Sequence, residues 1–387
     1  MSVKERLRPP LQGVTASDAS FLGDLLEGEV FWRDRQVWLQ GCGYMLRPRY
    51  RPGWIPSWRG TNKFSWQCED GEPMKNPYVI DAVRIRDSMD VCLKLLDSKI
   101  HEFEHAIVTL FSSDALANHP RNHCVPVLET LLPPNDTDMA IIVMPLLRPY
   151  SKPRFDTFGE AVDFFNQVFE GMKFMHDHNV AHRDCTGQNI MMEASRMFPD
   201  GYHPLHFSKK RDLSGKAKFY TRTQRPPKYF FIDFGISRRY ESRSPPPLED
   251  PIRGGDKSVP EFRLTEEGDA PEPCDPFPTD IYYLGNMILK EFIEGDNRRF
   301  RKMYGFEFMR SLATDMVAKD PAKRPTIDKV VERFAAIRSQ LGFWKLRSRI
   351  VKAGGFPRPS RPFKHWYLRI GYILRRVPAI PSYRHSE

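Results

Sequence analysis

The sequence predicts an α+β fold in which a β-rich part of the chain precedes a longer, mostly helical part. Residues 78–96, YVIDAVRIRDSMDVCLKLL, contain two β-prone runs joined by a polar turn, the pattern of an antiparallel hairpin. Residues 157–180 instead repeat apolar side chains at helical spacing. A chain of 387 residues is long enough for one domain of two lobes, or for two domains.

The positive charge of the chain is concentrated in its last part. From Leu341 onward, 11 Lys and Arg residues accompany a single acid, Glu387, which leaves 48 basic and 48 acidic residues before it. We therefore interpret residues 341–387 as a basic, aromatic tail, and the net charge of +10 as a property of that tail.

Localisation and redox state are predicted from what the sequence lacks. No apolar run approaches the roughly 20 residues that span a bilayer, and residues 1–12 contain no hydrophobic signal region. We expect an intracellular protein, cytoplasmic or nuclear, that is not secreted and has no transmembrane segment. The six cysteines are far apart, so we expect reduced thiols and no metal cluster.

Five of the seven tryptophans fall within residues 28–66, interleaved with Pro and Arg. Such a segment can stack on single-stranded nucleic acid, but we favour an interpretation in which the large rings cover an apolar surface. Residues 1–60 are accordingly predicted to be an aromatic-rich extension packed on a small lobe, residues 61–147. A large lobe follows, residues 148–340. The tryptophans are Trp32, Trp38, Trp54, Trp58 and Trp66.

Two further elements complete the predicted small lobe. Residues 101–116 place Phe103, Ile107 and Phe111 on one face of a helix. The segment MAIIVMPLL, residues 139–147, predicts a buried strand that stops at Pro145, because proline cannot donate to a strand ladder.

The large lobe is predicted to begin with its strongest helix. Its apolar stripe follows a Thr157 cap with Glu160 three residues later. The segment YFFIDFG predicts a buried strand that ends at Asp233. The stretch between Asn189 and Asp233 has a basic, polar centre and is too long for a simple hairpin, so we predict an exposed insertion.

The segment VAHRDCTGQNIMM, residues 180–192, contains residue types that phosphoryl transfer requires. That reaction needs a carboxylate that orients the acceptor hydroxyl, carboxylate and amide oxygens that hold Mg²⁺, and a cation that grips phosphate. Asp184 and Asn189 supply a carboxylate and an amide within this segment. Asp233 supplies a second carboxylate, and Lys94 supplies a cation on a predicted strand.

The order of the motifs VCLK, HRDCTGQN and DFG resembles the eukaryotic protein-kinase superfamily over about residues 78–335. The chain also looks like the kinase-like proteins of basidiomycete fungi, through RPRYRPGWIPSW, NHCVPVLETL and MPLLRPY. The resemblance implies a two-lobed protein-kinase-like fold, with a small antiparallel β-rich N-lobe carrying one main helix and a larger, mostly helical C-lobe. It also implies that the chain uses ATP and Mg²⁺.

The resemblance assigns the catalytic set to Asp184, Lys94 and Asn189. Within that set, Asp184 would be the catalytic base, and Asn189 and Asp233 would bind Mg²⁺. Lys94 would grip phosphate and pair with Glu104, with Glu102 as the second choice. Three further residues would contact the nucleotide. They are Cys92, which replaces the alanine of the family motif, and Met144 and Leu146 at a hinge near residues 144–147.

Downstream motifs resemble the activation segment and its supports. The segment SVPEF supplies Glu261, which would pair with Arg324 of AKDPAKRPT, and Asp280 of TDIYYLG would lie beneath the catalytic loop. Arg183 would receive an activation-segment phosphate. Four residues of this segment carry hydroxyls that could be phosphorylated in regulation: Tyr240, Ser242, Ser244 and Ser258.

The chain departs from the family pattern at two places. No glycine-rich loop precedes Lys94, where the nearest glycine is Gly71, so we expect weak or lost activity. Thr186 stands where Ser/Thr kinases usually have a lysine.

The predicted function is transfer of the γ-phosphoryl group of Mg-ATP to a protein hydroxyl, with Ser or Thr favoured over Tyr. One alternative is a pseudokinase, a binding module or ATP-binding scaffold that signals through partners. The second alternative is a small-molecule phosphotransferase, against which Glu261, Asp280 and Arg324 argue because that class lacks an activation segment.

Three interpretations of the basic tail compete. Its bases and aromatic rings suit an anionic membrane surface, and the same side chains suit nucleic acid. We favour a third interpretation, an extension whose apolar residues dock on the body of the protein. The expected partners are therefore a protein substrate and a nucleotide, and we expect a monomer.

Overall fold

The computed structural model describes most of the chain, and the described ranges are 25–134, 136–252, 255–264, 270–296, 299–354 and 360–383. Within them the protein is α+β, with a small antiparallel sheet and nine α-helices. The chain divides into two compact units. The small unit contains residues 25–105, 125–148 and 198–219, and the large unit contains the other described residues.

The small unit is built on a five-stranded antiparallel sheet with the order β1-β2-β3-β5-β4. Its strands are β1 (Tyr44–Leu46), β2 (Val79–Arg84), β3 (Met89–Asp97), β4 (Glu129–Leu131) and β5 (Met139–Pro145). The predicted hairpin is β2 with β3, in a register that sets Val79 opposite Lys94. The predicted end of β5 at Pro145 is also confirmed.

The segment predicted to be an N-terminal extension supplies part of this sheet. Helices α1 (Glu27–Asp34) and α2 (Gln36–Gly41) lead into β1, which pairs with β2 from Tyr44 opposite Arg84. Residues 44–46 therefore belong to the sheet itself and are not an addition to it. The pairing was not predicted because three residues are too few to display a strand period.

The tryptophans divide between core and surface. Trp32 is fully buried in the core beneath the sheet, and Trp38 packs against that core. Trp54 and Trp58 are half-buried. Trp66, by contrast, is 59% exposed, so the expectation that it covers an apolar surface is wrong.

Seven α-helices follow the sheet's first three strands in the chain. They are α3 (Glu104–Phe111), α4 (Phe158–Asp177), α5 (Pro276–Ile288), α6 (Arg310–Met316), α7 (Ile327–Gln340), α8 (Phe343–Arg347) and α9 (Ser360–Leu374). The short strands outside the five-stranded sheet are β6 (Arg148–Pro149), β7 (Val180–Ala181), β8 (Ile190–Glu193), β9 (Lys228–Phe231), β10 (Arg238–Arg239), β11 (Met303–Tyr304) and β12 (Val351–Lys352). No helix in the described part of the chain is both long and apolar enough to span a membrane.

Helix α4 forms the core of the large unit and begins as the sequence predicts. The Thr157 side chain accepts a hydrogen bond from the Glu160 N–H at 3.3 Å, which caps the helix. Phe164, Phe165 and Phe169 are buried on this helix, and Phe165 meets Phe292 edge to face. Aromatic burial therefore fixes the helix that leads into the HRD motif, residues 182–184.

The insertion between Asn189 and Asp233 is only partly exposed. Its centre, residues 208–218, is exposed or half-buried, as predicted. Residues 198–207, however, pack in the small unit, where the Arg148 guanidinium lies 4.1 Å from the Phe198 ring centroid and 4.4 Å from that of Tyr202. Cation–π contact thus removes this arginine from solvent.

Candidate active site

The small unit joins Lys94 to Glu104. Lys94 lies on β3, and Glu104 is the first residue of α3, where a carboxylate also suits the helix N-terminus. Lys94 Nζ donates to Glu104 Oε1 at 2.5 Å, and Glu104 is only 1% exposed. Glu104 Oε2 lies 4.0 Å from His101 Nδ1. The predicted pairing with Glu104, rather than Glu102, is therefore present.

Cys92 and Met144 lie side by side on the face of the sheet that carries Lys94. Alternate residues of a strand share a face, so Cys92 and Lys94 both turn away from the core-facing Leu93. In the register of β3 with β5, Cys92 is opposite Met144. Burial raises the pKa of Cys92 to about 12, so the thiol stays protonated. Leu146 follows β5 and is half-buried.

Residues 47–78 join β1 to β2 in place of a short glycine-rich turn. Arg49 and Glu29, both fully buried, pair at 2.8 Å, and Arg47 pairs with Asp81 at 3.1 Å. Although burial opposes ionisation, hydrogen bonds and charge from Arg49 hold the pKa of Glu29 below its ordinary value. Buried ion pairs therefore fix this connection, and it contains no run of glycines whose amides could cradle a phosphate.

A pair of strands brings Asn189 and Asp233 together in the large unit. Asn189 directly precedes β8, Asp233 follows β9, and these two strands pair antiparallel. The Ile232 N–H donates to the Asn189 carbonyl oxygen at 2.9 Å. Asn189 Nδ2 donates to the Asp184 carbonyl oxygen at 2.8 Å and to Asp184 Oδ2 at 2.9 Å. The predicted Asp184, Asn189 and Asp233 thus meet at one end of this strand pair.

Asp280 holds the backbone of the HRD motif. It is fully buried and accepts hydrogen bonds from the His182 N–H at 2.8 Å and the Arg183 N–H at 2.7 Å. Arg183 has a φ of +68°, a left-handed conformation that costs a non-glycine residue about 1 kcal/mol or more. Because Asp280 fixes this backbone, it also fixes the direction of the next residue, Asp184. The structure therefore places Asp280 against the HRD motif, as the sequence predicts.

The surroundings of Asp184 raise the pKa of its carboxyl group. Burial raises its pKa, and the negative charge of Asp233 raises it further, while the Asn189 amide and the Asp256 backbone N–H act in the opposite direction. Within the described residues, Asp184 Oδ1 accepts no hydrogen bond. A carboxylate with one oxygen held by a hydrogen bond and the other buried without one can accept the proton of a hydroxyl that reaches it.

The oxygen atoms present fit Mg²⁺ bound together with phosphate. Because Asn189 uses its Nδ2 to hold Asp184, its side-chain oxygen is the atom left for a metal, and Asp233 could supply a carboxylate. Mg²⁺ prefers such oxygens, and it commonly takes one or two protein carboxylates, several waters and substrate phosphates. Across the described ranges, no group of three or more His, Cys, Asp and Glu side chains is arranged to hold a metal ion.

The backbone of Gly255 and Asp256 covers the Asp184 carboxylate. A Cβ added at Gly255, which has a φ of +73°, would lie 3.1 Å from Asp184 Oδ2. Tyr283 on α5 donates to the Asp256 carbonyl oxygen at 2.5 Å. Helix α5 therefore holds this part of the predicted activation segment close to Asp184.

Arg183, predicted to receive a phosphate, is already paired with a carboxylate. Its Nη1 lies 3.2 Å from Glu249 Oε2, and its Nη2 donates to the Asp250 carbonyl oxygen at 2.8 Å. Tyr240 donates to Glu249 Oε1 at 3.0 Å. Burial raises the pKa of Tyr240, and the Glu249 charge adds to the increase. A glutamate of the predicted activation segment thus already pairs with the Arg183 guanidinium.

Other predicted contacts of the activation segment are also present. Arg324 donates to both oxygens of Glu261, at 2.7 and 2.6 Å, a bidentate pair that ties the segment's end to the large unit. Ser258, one of the predicted acceptors, receives a hydrogen bond from Asn286 at 3.0 Å. Ser242 and Ser244 are exposed.

Three residues of this site were not found in the sequence. Glu249 and Asp256 lie in an irregular segment, and Tyr283 lies on a helix whose apolar pattern hides its hydroxyl. Each reaches the site through the fold, so local spacing carries no signal for it. For Glu249 the sequence contains one indirect signal: it forms an acidic pair with Asp250 in a segment rich in arginine, which is typical of an ion pair.

No protein-family model and no curated protein matches the chain. The resemblance to protein kinases therefore stays a prediction from the sequence motifs.

Proposed function

We propose that the protein is a protein kinase that transfers the γ-phosphoryl group of Mg-ATP to a protein hydroxyl. The observation that carries the proposal is the half-buried Asp184 carboxylate, which Asn189 holds by one oxygen and whose pKa the nearby charge of Asp233 raises. The small and large units would be the N-lobe and C-lobe of a two-lobed protein-kinase-like fold. The sheet order of the small unit and the Lys94–Glu104 pair support this assignment.

Each residue of the set would have one task. Asp184 would orient the acceptor hydroxyl and take its proton as the oxygen bonds to the γ-phosphorus and the bond to ADP breaks. Asp233 and Asn189 would hold Mg²⁺, which when bound neutralises charge on the phosphates. Lys94, oriented by Glu104, would bind a phosphate oxygen, and Cys92, Met144 and Leu146 would contact the base.

The choice of a protein acceptor rests on the activation segment. Glu261 and Arg324 fix the end of that segment by a bidentate ion pair, and Tyr283 fixes its middle. A transferase for small molecules has no need of a segment anchored in this way. Ser and Thr remain the favoured acceptors.

The test is Mg²⁺-dependent transfer of labelled γ-phosphate to a generic protein substrate. Asp184→Asn and Asp233→Asn should each lower the rate by about 100-fold or more, because each removes a charge that acts in the transition state. Asp177→Asn, an exposed carboxylate on α4, is the matched control and should leave the rate unchanged. Equal transfer by wild type and Asp184→Asn would contradict the proposal.

A pseudokinase is the second candidate, and two observations favour it. Buried ion pairs take the place of the glycine-rich turn, and the backbone of residues 255–256 covers Asp184. This candidate predicts that Mg-ATP stabilises the protein against heat while no label is transferred to any protein, including the chain itself.

A further inference from the structure

Helix α9 turns charged residues inward and apolar residues outward. Arg369 and His365 are buried, at 9% and 7% exposure. Trp366, Ile370 and Leu374 are 53%, 52% and 78% exposed and recur at the i, i+4, i+8 spacing of one helix face. The expectation that the tail docks through its apolar residues is therefore met by Tyr372, which is 7% exposed, and is wrong for Trp366, Ile370 and Leu374.

The inward face of α9 is held by polar contacts. His365 Nδ1 lies 3.2 Å from Asp156 Oδ2, and the Tyr372 hydroxyl lies 2.8 Å from Thr221 Oγ1. These contacts fix the orientation of the helix on the large unit. Its opposite face, which carries Trp366, Ile370 and Leu374, is therefore exposed to solvent. A helix that needed only to dock would bury that face and expose its arginine.

The outward face continues onto helix α8. The Arg369 guanidinium lies 4.8 Å from the Trp344 ring centroid and 4.7 Å from that of Trp366, so it bridges the two rings. The exposed residues of α8 and α9 together form one apolar surface, which we call the tail surface. Its members are Phe343, Trp344, Trp366, Tyr367, Ile370 and Leu374.

Two exposed arginines lie next to the end of the tail surface. Arg375 and Arg376 follow α9 and are exposed. Residues 341–387 hold 11 basic residues against one acid, whereas the rest of the chain is balanced. The occupant of this surface must therefore offer negative charge together with hydrocarbon.

We propose that the tail surface binds the headgroup region of an anionic phospholipid membrane. Tryptophan and tyrosine prefer that region, arginines there attract anionic lipid, and aliphatic side chains enter the acyl boundary. Nucleic acid fits less well, because Ile370 and Leu374 can neither stack on bases nor pair with phosphate. A second copy of the chain fits less well, because two such basic tails repel each other.

The test is flotation of the full-length protein with lipid vesicles at physiological salt. Vesicles of phosphatidylcholine with about 30% phosphatidylserine should bind the protein at least about tenfold more tightly than phosphatidylcholine alone. Ile370→Ser with Leu374→Ser should weaken that binding by about tenfold or more, since each aliphatic side chain loses its transfer into lipid. Both residues are exposed, so the fold does not depend on them.

Two control variants separate insertion from simple charge attraction. Ile55→Ser with Leu132→Ser removes two equally exposed aliphatic residues elsewhere, and Lys209→Ala with Lys210→Ala removes two exposed charges. Neither should change vesicle binding, whereas Arg375→Ala with Arg376→Ala should weaken it. The same variants are also tested against single-stranded DNA and RNA.

Three results would overturn the proposal. The first is absence of binding to phosphatidylserine vesicles. The second is binding that Ile370→Ser with Leu374→Ser leaves unchanged, which would mean charge attraction alone. The third is tighter binding to nucleic acid that the same substitutions abolish. The proposal is independent of phosphoryl transfer.

Discussion

Lys94 and Glu104 form an ion pair in which the carboxylate is almost wholly buried. The side chains are 13% and 1% exposed. Lys94→Met should therefore lower the free energy of unfolding by about 3 kcal/mol, because it leaves a buried charge without its partner. Urea denaturation measures this, whatever the function of the site.

The double variant and an exposed pair supply the controls. Lys94→Met with Glu104→Met should recover most of the loss, since no unpaired charge remains. Lys99→Met breaks the exposed pair with Asp138 and should cost at most about 1 kcal/mol. If Lys94→Met cost no more than Lys99→Met, the buried pair would not stabilise the small unit.

The pairing of Arg183 with Glu249 predicts activity that does not depend on phosphorylation. Because the carboxylate already neutralises Arg183, treatment with a phosphatase should leave the transfer rate unchanged. Glu249→Ala should lower the rate by about tenfold, the equivalent of one lost charge-assisted hydrogen bond. Glu241→Ala, an exposed acid of the same segment, is the control. Loss of activity on phosphatase treatment would refute this prediction.

Helix α4 carries a buried acid that should make stability depend on pH. Asp163 is 6% exposed and accepts a hydrogen bond from Gln167 at 2.9 Å. Burial raises the pKa of Asp163 from the ordinary 3.8 to about 8. Between these pH values the folded state keeps a proton that the unfolded state releases. The contribution of Asp163 to stability is therefore present below pH 3.8 and is lost as pH rises through about 8.

Asp163→Asn should remove this dependence, because an amide does not ionise. The free energy of unfolding of the variant, relative to wild type, should rise by about 3 kcal/mol between pH 5 and pH 8. Urea denaturation at each pH measures the difference, and Asp177→Asn on the same helix is the control. A difference that stays constant with pH would mean that Asp163 is ionised in the folded protein at pH 5.

Elements were predicted well where local chemistry decides them. The Thr157 cap fixed the start of α4, and Pro145 fixed the end of β5. Helix α3 is shorter than residues 101–116, because the Ser113 hydroxyl donates to the Leu110 carbonyl oxygen at 2.7 Å and ends the helix there. Strand β1 was missed because its partner lies far along the chain.

The proposed function predicts that Mg-ATP stabilises the whole protein against unfolding. A nucleotide at about 100 times its dissociation constant adds about 2.7 kcal/mol to the free energy of unfolding. We expect this gain in wild type, a smaller gain when EDTA removes Mg²⁺, and little or none in Asp233→Asn. Thermal melts with Asp177→Asn as control measure it. Equal stabilisation of Asp233→Asn would exclude Asp233 from the metal site.

The small unit is assembled from three separate parts of the chain, whereas the sequence predicted one continuous lobe. Residues 106–124 join the large unit, where Phe111 packs against Phe174 with ring centroids 5.8 Å apart. Residues 198–219 join the small unit through the rings around Arg148. The division of the chain between the two units depends on contacts between residues that are far apart in the sequence. A local sequence pattern does not reveal such contacts.

The α+β class, the hairpin and helix α4 were predictable from the sequence alone, and so was the choice of Asp184, Asn189, Asp233 and Lys94 as candidate site residues. They were predictable because caps, strand breakers, apolar periods and motif spacing are local properties. Three features could be seen only in the folded protein. Glu249 pairs with Arg183, and the backbone of residues 255–256 covers the Asp184 carboxylate. Trp366, Ile370 and Leu374 of α9 are exposed. Such features depend on which side chains come into contact after folding. The energies of burial and of ion pairing are set by those contacts, and spacing along the chain does not reveal them.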